Sequence, residues 1–348
     1  MASCGCGCEP RTLCVLVSGG LLLTCPCRPH CARRALCVSL CASPWLVPSP
    51  ASYPSVTLSF FLWQEADGIR SVHEAVKLGV NFFDVSPYYG ATKAETVLGK
   101  ALKELPRDEF VVGTKVGRYG ESTFDFSAAR VTASVDESLA RLGVDRLDVV
   151  QCHDIEFGDL DQVVNETLPA LVKLREAGKV RAVGITGYPL DIFPYVLDRV
   201  PPGTVDVALS YCRYTLADGA LAGMLPALKA AGVGVLNAAP LSMGLLTDAG
   251  PPPWHPAPAA VKDAAAAASE LCKERGSSLP ALALQYALHA DPLSVTSTVV
   301  GIDSVATLAK NVAVMMTPID WALLRDVQAV FKPVANAFWA SGKFPGSD

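Results

Sequence analysis

From Ala66 onward, short apolar runs alternate with amphipathic stretches of helical period, and no other feature restricts the fold of this chain so tightly. Predicted strands run over Val80 to Asp84, Phe110 to Lys115, Leu147 to Cys152, Val180 to Thr186, Val205 to Leu209, Gly234 to Ala238 and Ser297 to Val300. Predicted helices follow or intervene at Ala66 to Leu78, Lys93 to Leu105, Ala128 to Leu142, Val163 to Ala177, Leu190 to Arg199, Leu221 to Ala231, a region ending near Ala290, and Ser304 to Val312. The first helix carries apolar Ile69, Val72, Ala75, Val76 and Leu78 at helical spacing and stops at Gly79, the residue type favoured just past a helix end. Runs such as DVVQC and AVGIT are apolar throughout, as strands buried on both faces must be.

Repeating βα units of this length make either an open doubly wound sheet or a closed barrel. No Gly-x-Gly-x-x-Gly loop follows any predicted strand, which removes the main support for a dinucleotide-binding open sheet. The α/β fold expected is therefore a (β/α)8 TIM-type barrel with an atypical N-terminal segment. Seven strands are clear, a barrel needs eight, and the missing first strand is expected before Ala66, with Ala35 to Ala42 as the candidate. Without it the barrel keeps an unpaired edge.

The first 65 residues differ from the rest. Nine of the twelve cysteines (Cys4, Cys6, Cys8, Cys14, Cys25, Cys27, Cys31, Cys37, Cys41) precede residue 42, and Glu9 is the only acid before residue 65. The CxC spacing lacks the CxxC or HxxxH partners of structural zinc, so no metal is expected. The apolar run Leu13 to Leu23 is like a short signal h-region, and the acid-poor Ser/Arg composition is like a plastid transit peptide. That run is shorter than the roughly 20 apolar residues that span a bilayer, so no membrane association is expected. The segment 1–65 is read as an atypical, poorly ordered Cys-rich leader and 66–348 as the barrel domain.

Only Cys152, Cys212 and Cys272 lie in the body, which reads as a set of reduced core thiols and places the protein in the cytoplasm, or in a plastid if the leader is a transit peptide. A net charge of −5 over 348 residues, with no Lys/Arg run, excludes a nucleic-acid partner and favours a small polar substrate on a monomer or homodimer.

Active sites of such barrels gather at the C-terminal ends of the strands, where this chain places Asp84, Lys115 and His153, with Tyr89 in the loop after Asp84. Each has an ordinary alternative: Asp84 can cap a turn, Lys115 can snorkel, His153 can be a satisfied buried histidine and Tyr89 can be packing. Three successive strands that each end in an ionisable group exceed what an apolar barrel top requires. The fitting chemistry is proton transfer coupled to hydride transfer. Lys115 favours the phenolate of Tyr89, Asp84 holds Lys115, and His153 orients the substrate oxygen.

These residues resemble the aldo-keto reductase family over about Asp67 to Val312, through GVNFFDVSPYYG, the TK at 114 to 115 and QCHD around His153. The resemblance implies a catalytic tetrad of Asp84, Tyr89, Lys115 and His153, and it passes over Tyr88, since the family tyrosine lies five residues beyond the aspartate. Further stretches resemble the family's nicotinamide-binding loops and imply cofactor contacts at Thr186, Gly187, Ser210, Tyr211, Leu241, Ser242, Gly244, Leu245, Gly301, Asp303, Ser304 and Asn311. Asp303 and Thr307 stand where NADP-binding members place positive charge, which favours NAD as cofactor, although Lys310 lies close by. The fuller stretch SVDESLARLGVDRLDVVQCHDIEF with LSYCRYTL resembles sugar-oxidising plant members of the family. It implies NAD-dependent oxidation of L-galactose at C1 to the galactono-1,4-lactone on the route to ascorbate. Alternatives are another aldose dehydrogenase, an aldehyde or pyridoxal reductase, or a non-catalytic cofactor-sensing subunit. The family's Gly-rich first loop is matched only by CASPW, Cys41 to Trp45. PPPWHPAP, Pro251 to Pro258, is expected to form a lid or surface loop near the cofactor, and Phe338 or Trp339 to reach the substrate pocket.

Overall fold

A computed structural model describes residues 56–60 and 65–343. Eight parallel strands close into a barrel in chain order: β1 (Val56–Phe60), β2 (Phe82–Asp84), β3 (Val111–Val116), β4 (Leu147–Cys152), β5 (Val180–Gly187), β6 (Val207–Tyr211), β7 (Gly234–Ala238) and β8 (Ser297–Ile302). The barrel is thus complete, with its first strand before Ala66 as expected but at Val56–Phe60, not at the candidate Ala35 to Ala42. The strand β1 pairs Thr57 with Phe82 on one side and Val56 through Phe60 with Thr298 through Ile302 on the other. VTLSF was passed over because it is short and sits in a Ser/Pro-rich stretch, yet alternating β-branched and apolar residues suffice once two neighbouring strands present open edges. The candidate Ala35 to Ala42, the cysteine groups before residue 42 and the CASPW stretch lie outside the described residues.

The two-residue period of each strand sorts side chains into two cores. Phe82, Val111, Val149, Ala182, Leu209, Leu236 and Val299 pack inside the barrel. Their neighbours Phe83, Val112, Val150, Val183, Ala208, Val235 and Val300 face outward into the layer between strands and helices. This parity places the site, because Asp84, Lys115, Gln151, Thr186 and Tyr211 each fall an even number of residues beyond an inward-facing one, at the C-terminal mouth. Two glycines let the strands close tightly there. A Cβ on Gly113 would meet the Phe82 ring at 3.1 Å, and one on Gly184 would meet the Val207 carbonyl oxygen at 2.8 Å.

Helices Glu65–Lys77, Lys93–Leu102, Ala128–Leu142, Leu168–Glu176, Ile192–Leu197, Leu221–Ala230 and Val305–Met316 surround the strands. The helical region expected to end near Ala290 resolves into two, Ala259–Glu274 and Leu279–Leu288, broken at Gly276, whose φ is +68°. A further helix, Trp321–Phe331, was not foreseen. Its Asp320 accepts from the N–H groups of Ala322 and Leu323, and its Leu323, Leu324, Val327 and Phe331 join Val261, Ala265 and Ala268 in a second core. Cys152, Cys212 and Cys272 are free and buried, and among the described residues no helix is long and apolar enough to cross a membrane.

Candidate active site

Asp84, Lys115 and His153 come together at the ends of β2, β3 and β4, and the turn after β2 carries Tyr89 over them. The Lys115 ammonium donates to the Asp84 carboxylate and, at 3.1 Å, to the carbonyl of Val85. Gln151 Nε2 donates to the other Asp84 oxygen at 3.1 Å. Lys115 and Asp84 are each 2 % exposed at the side chain, so this is a buried ion pair. Lys115 Nζ also hydrogen-bonds Tyr89 and lies 4.8 Å from the centre of its ring, while the Tyr89 ring meets His153 edge to face at 5.6 Å.

The charge states follow from burial. Burial tends to strip Lys115 of its proton, but Asp84 and Tyr89 outweigh it and hold the lysine above its ordinary value, as an ammonium. Burial pushes the Asp84 carboxyl up, and Lys115 and Gln151 only partly restore it. Tyr89 is also raised, by burial first, with Asp84 and Asp154 adding to the shift and Lys115 opposing it. Lys115 thus draws Tyr89 toward the phenolate while burial, Asp84 and Asp154 oppose it. Asp84 cancels much of the lysine's field, and Tyr89 rests as a neutral phenol.

His153 is pushed down to about 3, chiefly by burial, so its imidazole is neutral. Its Nδ1 lies 3.1 Å from Ser86 Oγ, and that oxygen already accepts from the Tyr88 N–H at 3.1 Å. The Ser86 hydroxyl can donate to Nδ1, and the Asp154 carboxylate 3.6 Å from Nε2 favours this tautomer, in which Nε2 carries the proton and can donate. Ser86 was not picked out from the sequence, although SPYYG gives the signal: a serine in a turn after a strand end, placed to accept from the N–H two residues on.

Arg118, just past β3, and Asp154, just past β4, were also missed. They form an ion pair beside His153, and Asp154 Oδ2 lies 3.6 Å from His153 Nε2. Glu156 follows, fully buried. Its Oε1 accepts from Tyr188 N–H at 3.0 Å, Tyr211 hydroxyl at 3.1 Å and Ser341 hydroxyl at 3.2 Å, and its carbonyl accepts from the Lys343 N–H at 2.7 Å. Burial and the nearby Asp154 charge push it up to about 8, so it is a neutral acid that ties the tail to the barrel top.

A cleft of about 1020 Å³ opens from Asp84, Tyr89, Lys115 and His153 toward the helix Val305–Met316. Of the expected cofactor contacts, Thr186, Tyr211, Leu241, Gly244, Gly301 and Asn311 line it, joined by Thr307 and Lys310. Gly187, Ser210, Ser242, Leu245, Asp303 and Ser304 do not. Gly187 packs against Ile192 and Glu156, Ser210 faces outward from β6 by parity, and Leu245 belongs to the second core. Ser242 is buried and gives its carbonyl to His255 Nε2 at 2.9 Å. Ser304 caps the helix by accepting from the Thr307 N–H, and Asp303 accepts from the Ser304 and Thr307 hydroxyls. These six hold the loops whose neighbours reach the cleft.

The cleft suits a long, anionic, partly planar ligand. The loop after β7 presents Ala239, Leu241, Met243 and Gly244 to it, with φ of +52° at Ala239, +49° at Ser242 and +52° at Met243. Three such non-glycine residues within five positions are costly backbone, of the kind kept where a chain must fit a ligand. From the middle of the helix Val305–Met316, Lys310 and Asn311 offer the cleft a cation and an amide. In the Pro-rich loop, exposed Trp254 lines the cleft. Trp339 and Phe338 do not line it. Trp339 instead stacks on Tyr188 at 4.6 Å and meets His255 edge to face, because a large flat ring is better covered there than at an open mouth.

Residues 63–330 match the model of the aldo/keto reductase family. The chain is 54 % identical over 284 residues to an L-galactose dehydrogenase of Arabidopsis thaliana, covering 80 % of this chain and 88 % of that protein. It is 32 % identical to a D-arabinose 1-dehydrogenase of Saccharomyces cerevisiae, over 76 % of this chain and 84 % of that one. Among solved structures, an aldo-keto reductase from Bacillus halodurans in its holo form superposes with a TM-score of 0.66 at 24 % identity, covering 83 % of this chain and 95 % of that one.

Proposed function

Since the chain belongs to the aldo/keto reductase family, we propose that it is an NAD-dependent aldose dehydrogenase that oxidises L-galactose at C1 to L-galactono-1,4-lactone. The observation that carries this reading is the 54 % identity to a named L-galactose dehydrogenase over a stretch that includes every residue of the Asp84, Tyr89, Lys115 and His153 cluster. The family uses a nicotinamide cofactor, which when bound supplies the hydride-accepting carbon. Thr186, Tyr211, Leu241, Gly244, Gly301 and Asn311 would hold it, with Lys310 supplying a cation for its negative charge.

The remaining work falls to this chain's own side chains. His153 donates from Nε2 to the C1 oxygen and fixes which face of the sugar is presented. Tyr89 takes the C1 hydroxyl proton as the C1–H bond breaks, so its phenol must first ionise. Lys115 stabilises the phenolate when it forms, and Asp84 with Gln151 keeps the ammonium in place. Neutral His153 is a donor throughout and never a competing base at ordinary pH. Asp303, held below its ordinary value by hydrogen bonds from the Thr307 and Ser304 hydroxyls, remains an anion beside cleft-lining Thr307 and supports NAD over its phosphorylated form. A cytoplasmic monomer or homodimer completes the proposal, with the boundary expected at residue 66 moved back so that the barrel domain includes β1, Val56–Phe60.

The test is NADH formation by the purified chain with L-galactose, against D-galactose, D-arabinose and NADP controls, beside a Tyr89→Phe variant. NAD-selective oxidation of L-galactose that the variant lacks is expected. A folded protein that binds NAD and oxidises no aldose overturns the proposal.

A further inference from the structure

We propose that Arg118 and Asp154 read the hydroxyl on the carbon next to the reacting one, which makes the cleft selective for sugars bearing an oxygen at C2. The inference rests on the aldose dehydrogenase reading and deepens it.

Four observations lead there. Both residues line the cleft beside His153, and neither is needed to hold the tetrad. Both are also held rigidly. The Arg118 guanidinium sits 4.0 Å from the centre of the Tyr88 ring, with Phe124 at 5.3 Å and Phe157 at 5.6 Å, and Phe124 stacks on Phe157. Asp154 is fixed through Thr186, whose hydroxyl accepts from the Asp154 N–H at 2.8 Å and donates to Oδ1 at 3.1 Å. Third, Asp154 is a non-glycine residue at φ +51°, ψ +59°, a left-handed backbone conformation kept where its carboxylate meets Arg118. Fourth, the pair keeps unused capacity. Arg118 Nε is buried with no partner, and the 3.6 Å between Asp154 Oδ2 and His153 Nε2 is too long for a direct hydrogen bond.

A buried ion pair is by itself poor evidence of stabilisation, so its cost asks for a use. Burial works against the Asp154 charge, and His153, Arg118 and the Thr186 hydroxyl together outweigh it, so the group stays an acceptor. A sugar whose C1 oxygen receives the Nε2 proton of His153 brings its C2 oxygen within reach of the neighbouring carboxylate, because the two oxygens sit on adjacent carbons and Asp154 Oδ2 lies only 3.6 Å from Nε2. A hydroxyl there donates to Asp154 and accepts from Arg118, satisfying both. A C2 methylene leaves the buried Arg118 Nε unpartnered and offers the Asp154 carboxylate no donor beyond Arg118 and Thr186, and a site built to hydrogen-bond a hydroxyl discriminates strongly against its absence.

The experiment compares kcat/KM for NADH formation with L-galactose, 2-deoxy-L-galactose and L-fucose, the 6-deoxy sugar, in the wild-type chain and in Asp154→Asn and Arg118→Lys. In the wild type the 2-deoxy sugar is expected to fall on the order of 100-fold below L-galactose, with L-fucose within about threefold. In both variants the 2-deoxy penalty shrinks to within about threefold through loss on L-galactose, while NAD binding, read by tryptophan fluorescence, is retained. A wild type that accepts 2-deoxy-L-galactose as well as L-fucose overturns the inference and leaves the dehydrogenase reading intact. So do folded variants that keep the full penalty. If neither variant folds, the wild-type contrast between the C2 and C6 deletions decides alone. Oxidation of no aldose at all overturns the underlying reading and this one with it.

Discussion

Consider replacing Lys115 by Met, Asp84 by Asn, and both together. Each single change leaves one polar partner in a site where both side chains are 2 % exposed, and breaking a buried pair from one side costs about 3–5 kcal/mol. At roughly 2–4 °C per kcal/mol for a domain of this size, Tm should fall by about 6–20 °C. The Lys115→Met loss should shrink on acidification, because burial already raises the Asp84 carboxyl and a protonated one no longer needs the ammonium. The double variant removes both charges, and most of the lost Tm should return while activity stays down by about 10²–10⁴-fold. Asp84→Asn has a second signature. The Asp84 charge is one of the causes that raise Tyr89, so the alkaline rise in oxidation rate should move to lower pH even as kcat drops. Scanning calorimetry at two pH values and an NADH assay from pH 6 to 10 read both effects. If the double variant is no more stable than either single one, or the singles lose under about 3 °C, the pair is not the buried electrostatic unit described.

Tyr89→Phe should lower kcat by about 10²–10⁴-fold with little change in cofactor affinity, checked by initial rates and fluorescence titration. Because Tyr89 rests protonated above its usual value and His153 is neutral down to about 3, the oxidation rate should rise with pH toward 10 without an imidazole step between 5 and 8; a break near 6.5 would falsify the assignment of a neutral His153. Ser86→Ala frees Nδ1 to carry the proton and should cost about tenfold in kcat while leaving Tm almost unchanged, which a pairing of rates with calorimetry resolves. Glu156, raised to about 8 in the fold, contributes stability that is full below its unfolded value near 4.5 and is lost as pH rises through 8. Glu156→Gln should therefore flatten the fall in Tm between pH 5 and 8, and an unchanged slope would remove Glu156 from that role.

The barrel was legible because its grammar is local. Strands buried on both faces read as apolar runs, and the sites of Leu147–Cys152 and Gly234–Ala238 needed only composition and the stops around them. Where a boundary depended on partners, it moved. Val80 and Asn81 were predicted as strand, but β2 pairs only Phe82 to Asp84 with β1 and β3. Likewise β1 is a strand because β2 and β8 flank it, which no window of its own sequence contains. The helix Trp321–Phe331 was missed for a similar reason: its apolar face is explained by Val261, Ala265 and Ala268, some 60 residues earlier in the chain.

In the site, the residues that parity places were readable and those that loops place were not. Asp84, Lys115 and His153 sit at strand ends, where a two-residue period fixes direction, so residue type alone marked them. Arg118, Asp154 and Glu156 lie beyond the strand ends, and their meaning depends on what bends the chain back. Gly117 at φ +94° allows the turn that sets Arg118 opposite Phe124, and a Cβ there would enter the Phe126 ring at 2.1 Å. Gly158 meets the same ring on the other side of the 154–156 turn, at 2.4 Å. One buried aromatic thus sets the paths of both loops that supply the ion pair beside His153. The two glycines read in sequence as ordinary loop residues, and only the ring between them shows why neither position has room for a side chain. A Gly117→Ala or Gly158→Ala change should accordingly disturb the Arg118–Asp154 pair before it disturbs the tetrad, because the strands that carry Asp84, Lys115 and His153 are fixed by ladder hydrogen bonds that neither loop supplies.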